Sequence, residues 1–129
     1  MKKKKELISY WEKLSKMDFE TAFDLFKAKR YPHCLFFTHL SMEKILKALY
    51  IKTNEKHAPI THNLLFLAKG ARLQLSDSQV EQFAEINTFN IEARYPDEKF
   101  KFYKKCTFEF TKKYIQLVEE TLSWLRQKL

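Results

Sequence analysis

Leu7, Trp11, Leu14, Thr21, Ala22 and Leu25, with Asp18 on the same line, recur at three- and four-residue steps. This spacing predicts a first helix from roughly Lys5 to Lys29. Arg30-Tyr31-Pro32 breaks the pattern, and Pro32 is suited to the first turn of a second helix. From Cys34 to Lys52 apolar residues run almost all round, with His39, Glu43 and Lys47 as a polar line at four-residue intervals and Lys44 beside it. A helix of that kind is central and buried on most sides. Asn54 to Ile60, with Pro59, reads as a loop. Thr61 is placed to cap a short helix through Lys69, which Gly70 would end in a left-handed conformation. Ser76-Asp77-Ser78-Gln79 has capping-box spacing and predicts a further helix to about Ala93.

The last helix is expected from about Lys104 to Lys128 and carries two adjacent stripes. Phe108, Thr111, Ile115, Val118, Leu122, Leu125 and Leu129 form one; Phe110, Tyr114, Leu117, Thr121 and Trp124 form the other. Together they cover over half the circumference, which points to a homodimer contact through Tyr114, Leu117 and Trp124. The alternative is that the first helix covers both stripes within one chain.

A chain of 129 residues suits one domain spanning residues 1–129, with a core that needs no staples. One Gly and three Pro leave too few tight turns for a meander or sandwich, so the class expected is all-α. Cys34 and Cys106 fall inside apolar helical patterns without metal-ligand spacing, which argues for buried thiols in a reducing compartment. The Lys2 to Lys5 run leads into Glu6, Trp11 and Lys13, unlike a signal peptide, and no stretch is apolar enough to span a bilayer. A cytoplasmic protein without a membrane segment is the expectation.

The net charge of +8 gains meaning only where it is concentrated. Between Arg94 and Lys113, seven basic residues (Arg94, Lys99, Lys101, Lys104, Lys105, Lys112 and Lys113) face three acidic ones, Asp97, Glu98 and Glu109. Tyr95, Phe100, Phe102 and Tyr103 are interleaved. The combination suits a phosphate backbone with stacked bases, and equally a solvated lysine-rich surface. His39 and Glu43, one turn apart, lack a third ligand for a metal; an ion pair from Glu43 to Lys47, with His39 as a partly buried donor, fits better. No Ser-His-Asp set, phosphate loop or cysteine cluster is present, and neither metal nor cofactor is expected. The early Arg30-Tyr31-Pro32-His33 echoes Arg94-Tyr95-Pro96 by chance.

Three segments carry a family likeness. Glu43-Lys44-Ile45-Leu46-Lys47-Ala48, then Thr61-His62-Asn63-Leu64, then Ala93-Arg94-Tyr95-Pro96 followed by Asp97, in this order and at these separations, resemble the HEPN domain family. The resemblance runs from Trp11 to the final helix. It implies an up-and-down bundle of four long helices plus one short helix. The family's Glu-Lys-x-Leu-Lys-Ala and Ala-Arg-Tyr-Pro patterns are matched; in its Thr-His-Asp-Leu turn, Asn63 takes the Asp place. His39-Leu40 stands where a Gln-Gln pair often precedes the Glu-Lys motif.

By this resemblance the chain is expected to bind a nucleotide or RNA as the partner of a minimal nucleotidyltransferase, an arrangement of toxin–antitoxin type. The residues implied at the phosphate are Arg94, Tyr95, His62, Lys99 and Lys101, supported by Glu43, Lys47, Asn63 and Asp97. Ribonuclease members of the superfamily carry Arg followed, after four to six intervening residues, by His. Here Lys99, Phe100 and Lys101 occupy those places. A protonated Lys does not replace an imidazole base, whereas Arg94 still grips a phosphate. Two alternatives remain: a ribonuclease toxin using Arg94 with a displaced His such as His62, and a helical interaction module without ligand. In the last case Arg94 would make a partly buried salt bridge, to Glu43 for example, and His62 a helix-start hydrogen bond.

Overall fold

Four long helices and two short ones form in the computed structural model, which describes residues 3–129, so that Lys2 at the head of the lysine run lies outside the described residues. They are α1 (Lys4–Lys27), α2 (Tyr31–Asn54), α3 (Leu64–Gly70), α4 (Asp77–Arg94), α5 (Lys101–Lys105) and α6 (Phe108–Arg126), and no strand occurs among the described residues. The all-α bundle is therefore as expected, with α5 as an additional short helix.

Helix α2 organises the rest, because it packs against all five other helices. Thirteen of its 24 residues are buried, among them Leu35, Met42, Ile45, Leu46 and Leu49, which meet Phe83, Ile86 and Phe89 of α4 and Val118, Leu122 and Leu125 of α6 in one core. Helix α1 lies along α2 over its length. Ser15 donates to the Ser41 carbonyl at 2.7 Å, Lys44 pairs with Asp18, and the Lys47 ammonium stands 5.1 Å from the Trp11 ring centre. These polar ties fix the register of two helices whose apolar contacts alone would permit sliding.

Local chemistry sets the helix ends. Pro32 sits in the first turn of α2, and Ser76 and Gln79 form the reciprocal capping box that starts α4. Three details differ from expectation. Asn63, not Thr61, caps α3: its side chain accepts from the Leu65 and Phe66 amides at 3.1 Å, while Thr61 accepts from the Asn63 amide. The last helix begins later, at Phe108, because Thr107 accepts from the Phe110 amide and Cys106 ends α5. Gly70 is a right-handed helical residue, and the left-handed position falls at Arg72 with φ 57°. The chain uses Lys29, Glu55 and Phe100 likewise at positive φ.

Gly70 is needed for space instead. A Cβ there would stand 2.5 Å from the Tyr50 ring, and Asn54 on the next turn of α2 donates to the Gly70 carbonyl at 2.8 Å, so the two helices approach backbone to side chain. Both cysteines are buried and unpaired, and burial pushes each thiol up to about 12, which makes them inert.

Gly70→Ala tests this packing by the sign of its effect. Within a helix the change normally stabilises by about 0.5–1 kcal/mol. Overpacking against Tyr50 costs about 1–3 kcal/mol, so urea unfolding should show a net loss of about 1 kcal/mol. In a Tyr50→Ala background the same change should become stabilising; a stabilising effect in the wild-type background would refute the close approach.

Candidate functional site

A buried carboxylate and a buried imidazole on successive turns of α2 build the site. Glu43, 4% exposed, receives Lys47 on one oxygen at 3.0 Å and the Nδ1 of His62 on the other at 2.7 Å. The expected ion pair is present, and His62, expected at the phosphate or, without a ligand, in a helix-start hydrogen bond, is its third member. A carboxylate oxygen only accepts, so in the neutral ring Nδ1 carries the proton and the Nε2 lone pair faces outward on a side chain that is 63% exposed.

His39, one turn before Glu43, is completely buried. Its Nε2 donates to the His62 carbonyl at 2.8 Å, so α2 holds the same loop residue by its ring and by its backbone. On its other side Nδ1 accepts from the Asn90 amide at 3.3 Å. The Asn90 side-chain oxygen in turn accepts from the Arg94 guanidinium, whose Nε donates to the Asn90 carbonyl at 3.1 Å. Every donor and acceptor in the run from Arg94 through Asn90 and His39 to His62 points one way, which fixes the His39 tautomer and keeps it neutral. Burial, the largest cause, lowers the His39 pKa from its ordinary 6.5; the charges of His62 and Arg94 act the same way, while the His62 carbonyl and Glu43 pull it up.

Arg94 is exposed and does not pair with Glu43. Its guanidinium lies over Phe36, 5.6 Å from the ring centre, and Tyr95, at 5.3 Å. Tyr95 is 68% exposed. The turn that follows is pinned by Asp97, which accepts from the Lys101 amide at 2.8 Å, and by Tyr103, whose hydroxyl donates to the Ala93 carbonyl at the end of α4 at 2.7 Å. Lys99 on this turn and Lys101 at the start of α5 are exposed and belong to no part of the buried network. Asn63 acts through structure: it caps α3 and accepts from Asn87 of α4 at 3.2 Å, while Asn87 accepts from the Leu64 amide at 2.8 Å.

The fold thus joins Arg94, His62, Glu43 and Lys47 through one hydrogen-bonded run, keeps Tyr95 beside Arg94, and leaves Lys99 and Lys101 at its edge. Asn90 and Asn87, and the bridging role of His39, were not anticipated. Asn90 carried a signal, since it stands with Phe83, Ile86 and Ala93 on the buried line of α4, where an amide has to find a partner. Among the described residues no group of three or more His, Cys, Asp or Glu could hold a metal ion. Of the three residues expected at a dimer face, Tyr114 is buried within the chain, edge-on to Phe89 at 5.1 Å between ring centres, and so is not available to a second copy; Leu117 and Trp124 are partly exposed.

Comparison with known proteins places this geometry in context. The HEPN domain profile matches residues 8–128. The crystal structure of TT1696 from Thermus thermophilus has the same fold, with a TM-score of 0.80 at 18% identity over 100% of both chains. Comparison with curated proteins gives no match.

The neutral His39 makes stability depend on pH. The unfolded chain takes up a proton near 6.5, whereas the folded chain takes it up only at lower pH. Between those values the unfolded state binds more protons, so stability should fall as pH drops below about 6.5 and level off beneath the folded value. His39→Gln, whose Nε2 replaces the donor to the His62 carbonyl, should flatten that part of a denaturation-versus-pH profile. An unchanged slope would remove His39 as its source.

Proposed function

Because this chain belongs to the HEPN domain family, we propose that it binds a nucleotide or RNA by its phosphate at Arg94, as the partner of a minimal nucleotidyltransferase of toxin–antitoxin type. The observation that carries the binding reading is the hydrogen-bonded run that holds an exposed guanidinium and an exposed imidazole at its two ends. Arg94 is fixed by Asn90 on one edge and by two ring faces, so little side-chain entropy is lost when its free edge takes a phosphate. Tyr95 offers an exposed ring for a base, and Lys99 and Lys101 add positive potential nearby. The family alone supports the nucleotidyltransferase partner, and a neighbouring gene for such an enzyme is the cheapest check of it.

A second reading, a ribonuclease with His62 as displaced base, is favoured by the 2.7 Å contact that aims the His62 ring and leaves Nε2 open. Such an imidazole accepts a proton from a 2′-hydroxyl, while Arg94 stabilises charge on the phosphorus oxygens. The Arg-then-His pair of ribonuclease members is absent after Arg94, so binding without turnover is the first choice.

Titration of a short fluorescent single-stranded RNA and of ATP should show binding that weakens as salt rises. Arg94→Ala should cost about 1.5–3 kcal/mol, roughly ten- to a hundredfold in affinity, and lower the salt slope by about 1. Unchanged affinity in a folded Arg94→Ala protein removes Arg94 from the site. Labelled RNA incubated in EDTA should remain intact with wild type. Cleavage by wild type that both His62→Ala and Arg94→Ala abolish would replace the binding reading with the ribonuclease; equal cleavage by all three would mark a contaminant.

A further inference from the structure

The hydrogen-bonded run from Arg94 to His62 begins on a group that only donates and ends on one that only accepts. A guanidinium has no lone pair to offer and a carbonyl has no hydrogen, so the two groups between them, the Asn90 amide and the His39 ring, each have one permitted orientation. The Asn90 oxygen has to face Arg94, its nitrogen then faces His39, and His39 Nδ1 has to be a bare acceptor. Asn90 is 2% exposed and His39 not at all, so neither turns to bulk solvent for another partner.

A proton added to His39 breaks this order at one point. Nδ1 becomes a donor and meets the donating nitrogen of Asn90 at the 3.3 Å contact where it had accepted. Two buried donors face to face are costly, and one motion relieves them: half a turn of the Asn90 amide, whose oxygen and nitrogen ends are nearly alike in shape. That turn satisfies His39 and sets the amide nitrogen against a guanidinium that cannot accept. Arg94 then keeps only the bond from its Nε to the Asn90 carbonyl and its two ring contacts. We propose that Asn90 is a positioning residue for Arg94 whose amide His39 sets, so that protonation of His39 releases the guanidinium and weakens phosphate binding there. The inference rests on the binding reading above and adds its regulation. The ionisable groups around His39 are Glu43 on its own helix, His62 on the loop before α3 and Arg94 at the end of α4, and of their charges only that of Glu43 favours the added proton. The anchor is intact above the pH at which the folded chain protonates His39 and lost below it; burial, the largest cause, sets that pH under the ordinary 6.5.

The test isolates the contribution of Arg94. Affinity for the short fluorescent single-stranded RNA is measured for wild type and Arg94→Ala from neutral pH downward, over the range in which circular dichroism shows both folded. Positive charge that acid adds elsewhere on the surface attracts RNA to both proteins and cancels in the ratio of the two affinities. Below pH 6.5 that ratio should fall by about two- to tenfold, the equivalent of ordering one long side chain anew. His39→Gln offers Asn90 an acceptor at every pH and should make the ratio independent of pH, whatever its size. In NMR spectra of the free wild-type protein, the Asn90 side-chain amide and the Arg94 Nε–H should shift together with the His39 ring as it titrates. A wild-type ratio flat with pH, a His39→Gln ratio that falls as the wild-type ratio does, an Asn90 amide that ignores His39, or a His39 that stays neutral until the chain unfolds would each overturn the proposal. Equal affinity of wild type and Arg94→Ala at neutral pH would instead remove the binding reading, and the regulation with it.

Discussion

Glu43 lies in the middle of α2 with 4% of its surface exposed, where an unpaired carboxylate costs on the order of several kcal/mol. Both of its oxygens are therefore committed, one to Lys47 on the next turn and one to His62 on the loop that precedes α3. Each commitment recruits a further element. Lys47 is itself mostly buried and lies against Trp11, which ties α1 to the charge; His62 delivers its carbonyl to His39, and through His39 and Asn90 the run reaches Arg94 at the end of α4. Four segments far apart in the chain are arranged by the need to satisfy one anion and one neutral imidazole.

Periodicity sufficed for the four long helices, because each has an apolar line that α2 or its neighbours bury, and the capping box at Ser76 and Gln79 marked the start of α4 without ambiguity. It failed between Lys104 and Phe108. No Gly or Pro interrupts that stretch, and the break comes from Thr107 offering its hydroxyl to a backbone amide, a choice that an unbroken helical pattern hides. Gly70 shows the opposite error. A glycine near a helix end suggests a left-handed stop, but here the reason for it is a tyrosine twenty residues earlier, and only the tertiary contact with Tyr50 reveals that.

The site was legible as a set of residues and illegible as a circuit. Arg94, His62 and Glu43 stood out, yet the bonds between them pass through Asn90 and a histidine tautomer, neither of which spacing along the chain can express. Tyr114 was misread for a related reason: both stripes of α6 look alike in sequence, and the edge-on contact with Phe89 decides which aromatic turns inward. The result divides the cationic groups by how firmly they are held. Arg94 is set in place by an amide and two rings, whereas Lys99 and Lys101 contribute as a diffuse field.

His62 is gripped twice by α2, and Asn63 beside it is gripped by α4 and by the first turn of α3. At the far end of the pair, Asn54 ties α2 to the Gly70 carbonyl. The segment between these anchors, which includes the fully exposed Ile60, adds only the Thr61 hydroxyl that accepts from the Asn63 amide, and contributes none of the hydrogen bonds that hold the imidazole. Its length is thereby uncoupled from the chemistry at its end. Closing a longer loop costs only about 0.6 kcal/mol for each doubling of length, so this connection has the freedom to grow, shrink or take on sequence of its own while His62 stays where α2 puts it.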